Sequence, residues 1–471
     1  MRSLVLAFAF PAALLAQTQQ AALRPEQQLA HDIYKELIET NTADSVGNTT
    51  TAATAVANRF RAAGFPASDI FEGGPRADKG NVVIRYHGRN TGGAQKPVLL
   101  LAHLDVVQAL RTDWSPDIDP FRFIERDGYY YGRGTSDDKA MASIFIATLL
   151  RFRQQGFVPD RDIILALTAD EEGGGNNGVR WLLANHKDLI DAAYALNEGG
   201  GGALREGRPF INSVGAAEKV SANFTVSSKN RGGHSSVPRD DNAIYQLSQA
   251  LVNIGKYQFP VLLGDVTRAF FAGTAKVETP EMAAAMRAIV ANPNDARAAA
   301  TISADPRYRS MLRTTCVATM LSGGHARNAL PQTASANVNC RMAPGHDPAD
   351  VRAQLIVAIN DTGVAVSKAP AMEHAAPSPL TAEVMGPIEK VTRDVFGPDV
   401  LVIPTMGTGA TDSKYLRVAG IPGYGVSGLM GDPNDGRAHG KDERVLIKSY
   451  YDSEEFLYRL VKELSTTKTV P

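Results

Sequence analysis

Three short runs in the first part of the chain are apolar almost from end to end: NVVIRY (81–86), VLLLAHLD (98–105) and DIILALTAD (162–170). None alternates apolar with polar residues, which is how strands covered on both faces read. Between and after them the apolar positions recur every three or four residues. DDKAMASIFIATLLRFRQQ (137–155) and GVRWLLANHKDLI (178–190) are therefore predicted helices, and EQQLAHDIYKELIE (26–39) an earlier one. Strands alternating with helices predict an α/β fold with a mostly parallel sheet covered on both faces. In such sheets ligands bind beyond the carboxyl ends of the strands.

The pattern changes near Gly215. KVSANFTVSSK (219–229) alternates apolar and polar residues, as do TTCVATML (314–321) and ASANVNCRM (334–342), and PADVRAQLIVAIND (348–361) predicts a helix. Residues 216–370 thus read as an inserted α+β lid or dimerisation domain, with a mostly helical stretch from Gln249 to Arg313 between its strands. After HAAPSPLT the α/β alternation resumes, in GPIEKVTRDVFG, VLVIPTMG, GIPGYGVSG and the closing helix SYYDSEEFLYRLVKELS. Residues 24–215 and 378–471 are accordingly expected to form one interrupted catalytic domain.

The first segment, MRSLVLAFAFPAALLAQ, has a lone Arg2, an apolar stretch from Leu4 to Leu15 and a small Ala16. It reads as an export signal over residues 1–16, too short to span a bilayer; a tail resting on a membrane is the other reading. No later run is long and apolar enough to cross a membrane, so a periplasmic or secreted protein is expected. At 471 residues, 21% charged and net charge -1, nothing in the balance favours nucleic acid or anionic lipid as a partner. The two cysteines, Cys316 and Cys340, exclude a disulfide scaffold and a thiolate metal site; one disulfide and a pair of buried thiols fit equally.

The candidate chemistry gathers at strand ends and glycine-rich turns. TADEEGGGNNG sets Asp170, Glu171 and Glu172 side by side where a buried strand ends, so a positive or catalytic group is expected beside them. LLLAHLDVV offers His103 and Asp105, spaced so that the acid can accept the spare imidazole N–H. GRGTSDDKA offers Asp137, ALNEGGGG offers Glu198, and GRAHGKDERV offers His439. Singly, each reads as well as a structural histidine, a helix cap or a solvated turn. Together they put two histidines and several carboxylates along one rim of one sheet. Imidazole and carboxylate without thiolate suit zinc, cobalt or manganese, and the number of ligands fits a pair of ions with one acid left over as general base.

HLDVV, GRGTSDDK, DEEGGG, NEGG and the late His439, in that order, resemble the zinc aminopeptidase-fold hydrolases that include glutamate carboxypeptidase, aminoacylases, ArgE/DapE deacylases and carnosinases. The resemblance covers the chain from about residue 27 to its end. It implies two Zn2+ ions, one held by His103, Asp137 and Glu198, the other by Asp137, Glu172 and His439. It further implies Glu171 as general base to a metal-bridged water, Asp105 behind His103, and a cis peptide between Asp137 and Asp138. In RGGHSSVP, His234 would reach into a partner chain's site and stabilise the oxyanion, which implies a homodimer through the inserted domain. Asn328 in GGHARNALP and Arg341 in NVNCRMAPG would grip the substrate carboxylate, a task that suits a guanidinium. GATDSKY, around Asp412, would shape the substrate pocket. The implied activity is hydrolysis of an amide bond beside a free carboxylate, as in a secreted carboxypeptidase or dipeptidase acting on small peptides. An N-acyl-amino-acid deacylase is the alternative, and a binding protein that kept the fold without catalysis a remote third.

Overall fold

A computed structural model of the chain describes residues 22–90, 95–173, 175–368 and 375–466. The expected export signal over residues 1–16 lies outside the described residues. The runs Val98–His103 and Ile163–Thr168 are strands with every residue buried, and they pair in parallel at the centre of a ten-stranded sheet. Tyr194–Asn197 continues the parallel set beside Val98–His103, and Gly423–Gly425 beside Tyr194–Asn197. Antiparallel pairings flank the parallel set on both sides. Lys79–Tyr86 runs antiparallel to Ile163–Thr168 at one side, and Gly202–Arg205 forms a hairpin with Arg208–Glu218 at the other. Leu401–Gly407 returns parallel to Arg208–Glu218, bringing the C-terminal segment of the chain back to the same sheet.

Helix Lys139–Gln154 is buried along almost its whole length, wedged between the sheet and helices Pro25–Glu39 and Ile447–Ser465. A helix apolar on nearly all sides needs such double cover. The element types and the mostly parallel sheet are those predicted from the hydrophobic pattern.

The smaller sheet is antiparallel throughout, in the order Thr315–Gly323, Thr333–Met342, Val220–Lys229, Val364–Val366. Helices Ala243–Lys256 and Pro348–Ile359 contribute to a separate core around Phe224, Leu247, Val338 and Leu355. The alternating burial of Thr333–Met342 follows from this one-sided cover. Cys316 and Cys340 face each other on adjacent strands and form a disulfide, which resolves the choice between bridge and thiols.

The stretch Gln249 to Arg313 is helical as expected, but most of it packs elsewhere. Helices Asp265–Thr274, Pro280–Ala291, Ala296–Ser303 and Pro306–Leu312 add Phe271, Met286, Ile302 and Leu312 to the apolar cluster that holds Val214 and Met406 of the large sheet. An amphipathic stripe shows that a helix has a buried face; it does not show which sheet supplies the cover. No helix among the described residues is long and apolar enough to cross a membrane.

Candidate metal centre

Four loops leave the carboxyl ends of adjacent strands or lead into helices along one rim of the large sheet, and they converge. His103 is the last residue of its strand and lies opposite Thr168, so the acidic turn that follows Thr168 starts beside it. Glu198 follows strand Tyr194–Asn197, and Gly199 turns the chain at φ +95°, a conformation glycine adopts without cost. Asp137 precedes helix Lys139–Gln154; the helix cap falls on Asp138 without a side-chain cap bond, leaving the Asp137 carboxylate free. The peptide between Asp137 and Asp138 is cis, as the resemblance implies.

The Asp137 carboxylate splits its two oxygens. Oδ1 lies 3.0 Å from His103 Nε2, and Oδ2 lies 3.1 Å from His439 Nε2. Glu198 approaches His103 Nε2 at 3.8 Å, and Glu172 approaches His439 Nε2 at 2.8 Å. The donor atoms of His103, Asp137 and Glu198 lie within 4.8 Å of one another, as do those of Asp137, Glu172 and His439. Asp137 belongs to both groups.

The charges of this cluster are not balanced by the protein. Burial pushes the Glu198 carboxyl well above its usual range, and Asp137, Asp138 and Glu171 add repulsion. The Glu198 carboxylate finds no hydrogen-bond donor among the described residues. Burial likewise raises Glu172, with Asp137 adding to it, and pushes Glu171 up to about 8, with Asp412 and Glu172 contributing. Asp137 behaves oppositely: although burial opposes its charge, hydrogen bonds from His103 and His439 hold its carboxyl below the ordinary range. His439 is pushed up to about 9, chiefly by its hydrogen bond to Asp137. A concentration of half-buried acids this dense, with imidazole nitrogens among them and no thiolate, fits a pair of divalent cations.

A positive group does stand beside the acidic turn. Asp170 is neutralised by Lys79, buried like its partner and 2.9 Å away, and the lysine also pairs with Asp44. The Asp105 carboxylate accepts the backbone N–H groups of Glu171 and Glu172, each at 3.0 Å, so it fixes the turn. His103 Nδ1 donates to the Asp105 backbone carbonyl at 2.9 Å and also faces the Asp105 carboxylate at 3.6 Å, so this acid stands behind the imidazole while its oxygens hold the neighbouring turn.

Two further residues shape the site, Arg133 in GRGTSDDKA and Glu443 in GRAHGKDERV. Glu443, fully buried, accepts from the backbone N–H groups of Gly134, Ser136 and Asp137 and from the Ser136 hydroxyl. Arg133 pairs with Glu443 at 2.7 Å and donates to the carbonyls of His439 and Gly440. A buried carboxylate four positions after His439 was the available signal. Lys79 carried none, because its partner lies 91 residues away.

His234, Asn328 and Arg341 belong to the smaller sheet and the two-stranded ribbon beside it in the chain. Gly233–His234 pairs with Ala329–Leu330 in a two-stranded ribbon, which sets exposed His234 beside exposed Asn328. Arg341 sits in strand Thr333–Met342. No hydrogen bond or ion pair joins these three to the cluster among the described residues. Asp412 is buried near Glu171, accepts from Asn177 at 2.6 Å, and is raised to about 6 by burial. His325 is exposed and takes no part in the cluster.

Comparison with known proteins bears on this geometry. The family model described as peptidase family M20/M25/M40 matches residues 99–463, most of the chain. The chain belongs to that family. It is 30% identical over 392 residues to a probable carboxypeptidase S-like 2 of Dictyostelium discoideum, covering 81% of this chain and 74% of that protein. It is 27% identical over 381 residues to the N-fatty-acyl-amino acid synthase/hydrolase PM20D1 of Homo sapiens, covering 79% and 74%. Among solved structures, the M20 family metallo-carboxypeptidase Sso-CP2 of Sulfolobus solfataricus superposes with TM-score 0.67 at 17% identity, covering 94% of this chain and 100% of that one. The M20 protein is thus an enzyme of the metal-dependent hydrolase class with a mixed α/β fold.

Proposed function

We propose that this M20 enzyme cleaves an amide bond beside a free carboxylate, with two zinc ions (or cobalt or manganese) held by the paired groups around Asp137. The observation that carries the reading is the split of the Asp137 carboxylate, one oxygen toward each histidine, with Glu171 alongside. When bound, the cations supply Lewis acidity and a water of lowered pKa. Glu171 takes a proton from the attacking water and returns it to the leaving amine, so the amide C–N bond breaks to give a carboxylate and a free amine. Arg341 and Asn328 bind the carboxylate on the amine side through charge-assisted hydrogen bonds.

Carboxypeptidase or dipeptidase activity is the leading assignment, and N-acyl-amino-acid deacylation the second. Relatives whose names carry each activity match the chain over similar lengths, so the comparisons alone leave both open. Metal analysis together with a screen of dipeptides and N-acyl amino acids, with and without chelator, tests the reading. Chelator-sensitive release of an amine is expected. Turnover unaffected by chelator would end it.

The same reading has two chains pairing through strand Thr315–Gly323, so that His234 of each reaches toward the other's site. In support, this strand is the outermost of its sheet, and Val317, Met320 and Leu321 are 58%, 72% and 69% exposed with no charged residue along it. Sedimentation should give a dimer, and Met320→Lys a monomer. Secretion is supported by the Cys316–Cys340 disulfide, which persists in oxidising compartments.

A further inference from the structure

A pocket of about 270 Å³ opens where the end of helix Ala243–Lys256 meets the start of strand Thr315–Gly323. Arg309 and Arg313 line it, and among the described residues no acid does. Arg313 is only 8% exposed. Its Nη1 donates to Gln258 Oε1 at 3.2 Å and to the Phe259 carbonyl at 3.0 Å, and its own carbonyl accepts from Lys219 Nζ at 2.7 Å. These contacts fix the guanidinium in place without neutralising it. Its Nε is buried and has no hydrogen-bond partner among the described residues. Arg309 is half-buried and forms no ion pair or side-chain hydrogen bond among the described residues. Burial, and after it the charge of Arg309, hold the Arg313 guanidinium below its ordinary range, and no carboxylate acts in the other direction.

Two neighbouring guanidiniums, one of them buried with an unused N–H, are costly unless an anion joins them. We propose that this pocket binds a small organic anion, a carboxylate carried on a compact apolar body. The planar fork of an arginine matches the two oxygens of a carboxylate, and a second arginine beside it adds charge-assisted hydrogen bonds. The opposite walls, Leu251, Ile254, Phe259 and Val317, are apolar and gain from covering a hydrocarbon body. A bare oxyanion would meet the arginines and leave those walls unfilled. The volume falls just short of the ~300–1,000 Å³ of ordinary small-molecule sites, which restricts the body to about the size of one ring. The pocket is separate from the amide-hydrolase site: no metal-ligating residue, and neither Asn328 nor Arg341, lines it.

The test is calorimetric titration of the metal-loaded, full-length protein with benzoate, in a buffer free of carboxylate and phosphate. Benzamide serves as the uncharged counterpart and inorganic phosphate as the bare oxyanion. Benzoate should bind saturably, and more tightly than either of the other two. Arg309→Glu reverses one charge of the pocket. Gly255→Phe fills it from the helix side, where an added Cβ meets nothing within 4 Å. Each should weaken benzoate by about tenfold or more, the scale of a lost charge-assisted hydrogen bond or of a blocked site. Thermal melts establish that both variants fold, and either one decides the matter if the other does not. Benzoate held at the metal centre instead would bind both variants as it binds wild type, and that result overturns the proposal. So does benzamide or phosphate binding as tightly as benzoate. If benzoate does not bind and sedimentation shows that Arg309→Glu turns a dimer into a monomer, the arginines meet a second chain, and the small-anion site falls.

Discussion

Arg133, four residues before Asp137, and Glu443, four residues after His439, form a buried ion pair, and each holds the backbone of the other's loop. Glu443 gathers the N–H groups of Gly134, Ser136 and Asp137, and Arg133 reaches the carbonyls of His439 and Gly440. Two loops more than 300 residues apart in sequence are thereby locked in the register that turns Asp137 and His439 toward each other.

Glu443→Gln keeps the shape of this clasp and removes its charge. Metal affinity is expected to fall by about 10–100-fold, the usual cost of losing a residue that orients a ligand. Competition with a chromophoric chelator measures it. Unchanged affinity would mean the loops hold their geometry without the clasp.

Glu171→Ala removes the proposed base and no metal ligand. Turnover should drop by about 10²–10⁴-fold, while metal content by mass spectrometry stays at the wild-type value. A variant that retains its rate would move the base to another residue.

The metal-free protein should lose thermal stability as pH rises from 5 to 7. Glu171 is raised from 4.5 to about 8, Asp412 from 3.8 to about 6 and Glu454 from 4.5 to about 7, each first by burial. An acid whose folded pKa lies above its unfolded value stabilises the fold while protonated, and that contribution is lost as pH climbs through the folded pKa. Lys139 and Lys219, both lowered to about 7 by burial, change the balance only above this window. Bound cations relieve the repulsion at Glu171, so the difference in Tm between metal-loaded and metal-free protein should widen over the same range. Calorimetry at three pH values decides the matter.

Lys79→Met should destabilise the large domain by about 3–5 kcal/mol, because it strands the buried Asp170 carboxylate. Chemical denaturation gives the difference. Adding Asp170→Asn should recover part of it; no recovery would show that the lysine acts through packing.

The amino-acid order determined the strands and helices around the rim. Continuous apolar runs such as VLLLAH and IILALT can be buried on both faces in only a few ways, and a parallel sheet is the commonest. The order also marked His103, Asp137, Glu171, Glu172, Glu198 and His439, because acids and imidazoles placed where buried strands end are costly without a purpose. Tertiary structure alone decided which groups neutralise which. Lys79 against Asp170, Arg133 against Glu443, and Cys316 bonded to Cys340 are matches across the fold, and no local pattern specifies them. It also decided that the helices from Asp265 to Leu312 join the large core. A periodic stripe records that one face avoids water; the partner that shields it is chosen only when the whole chain packs.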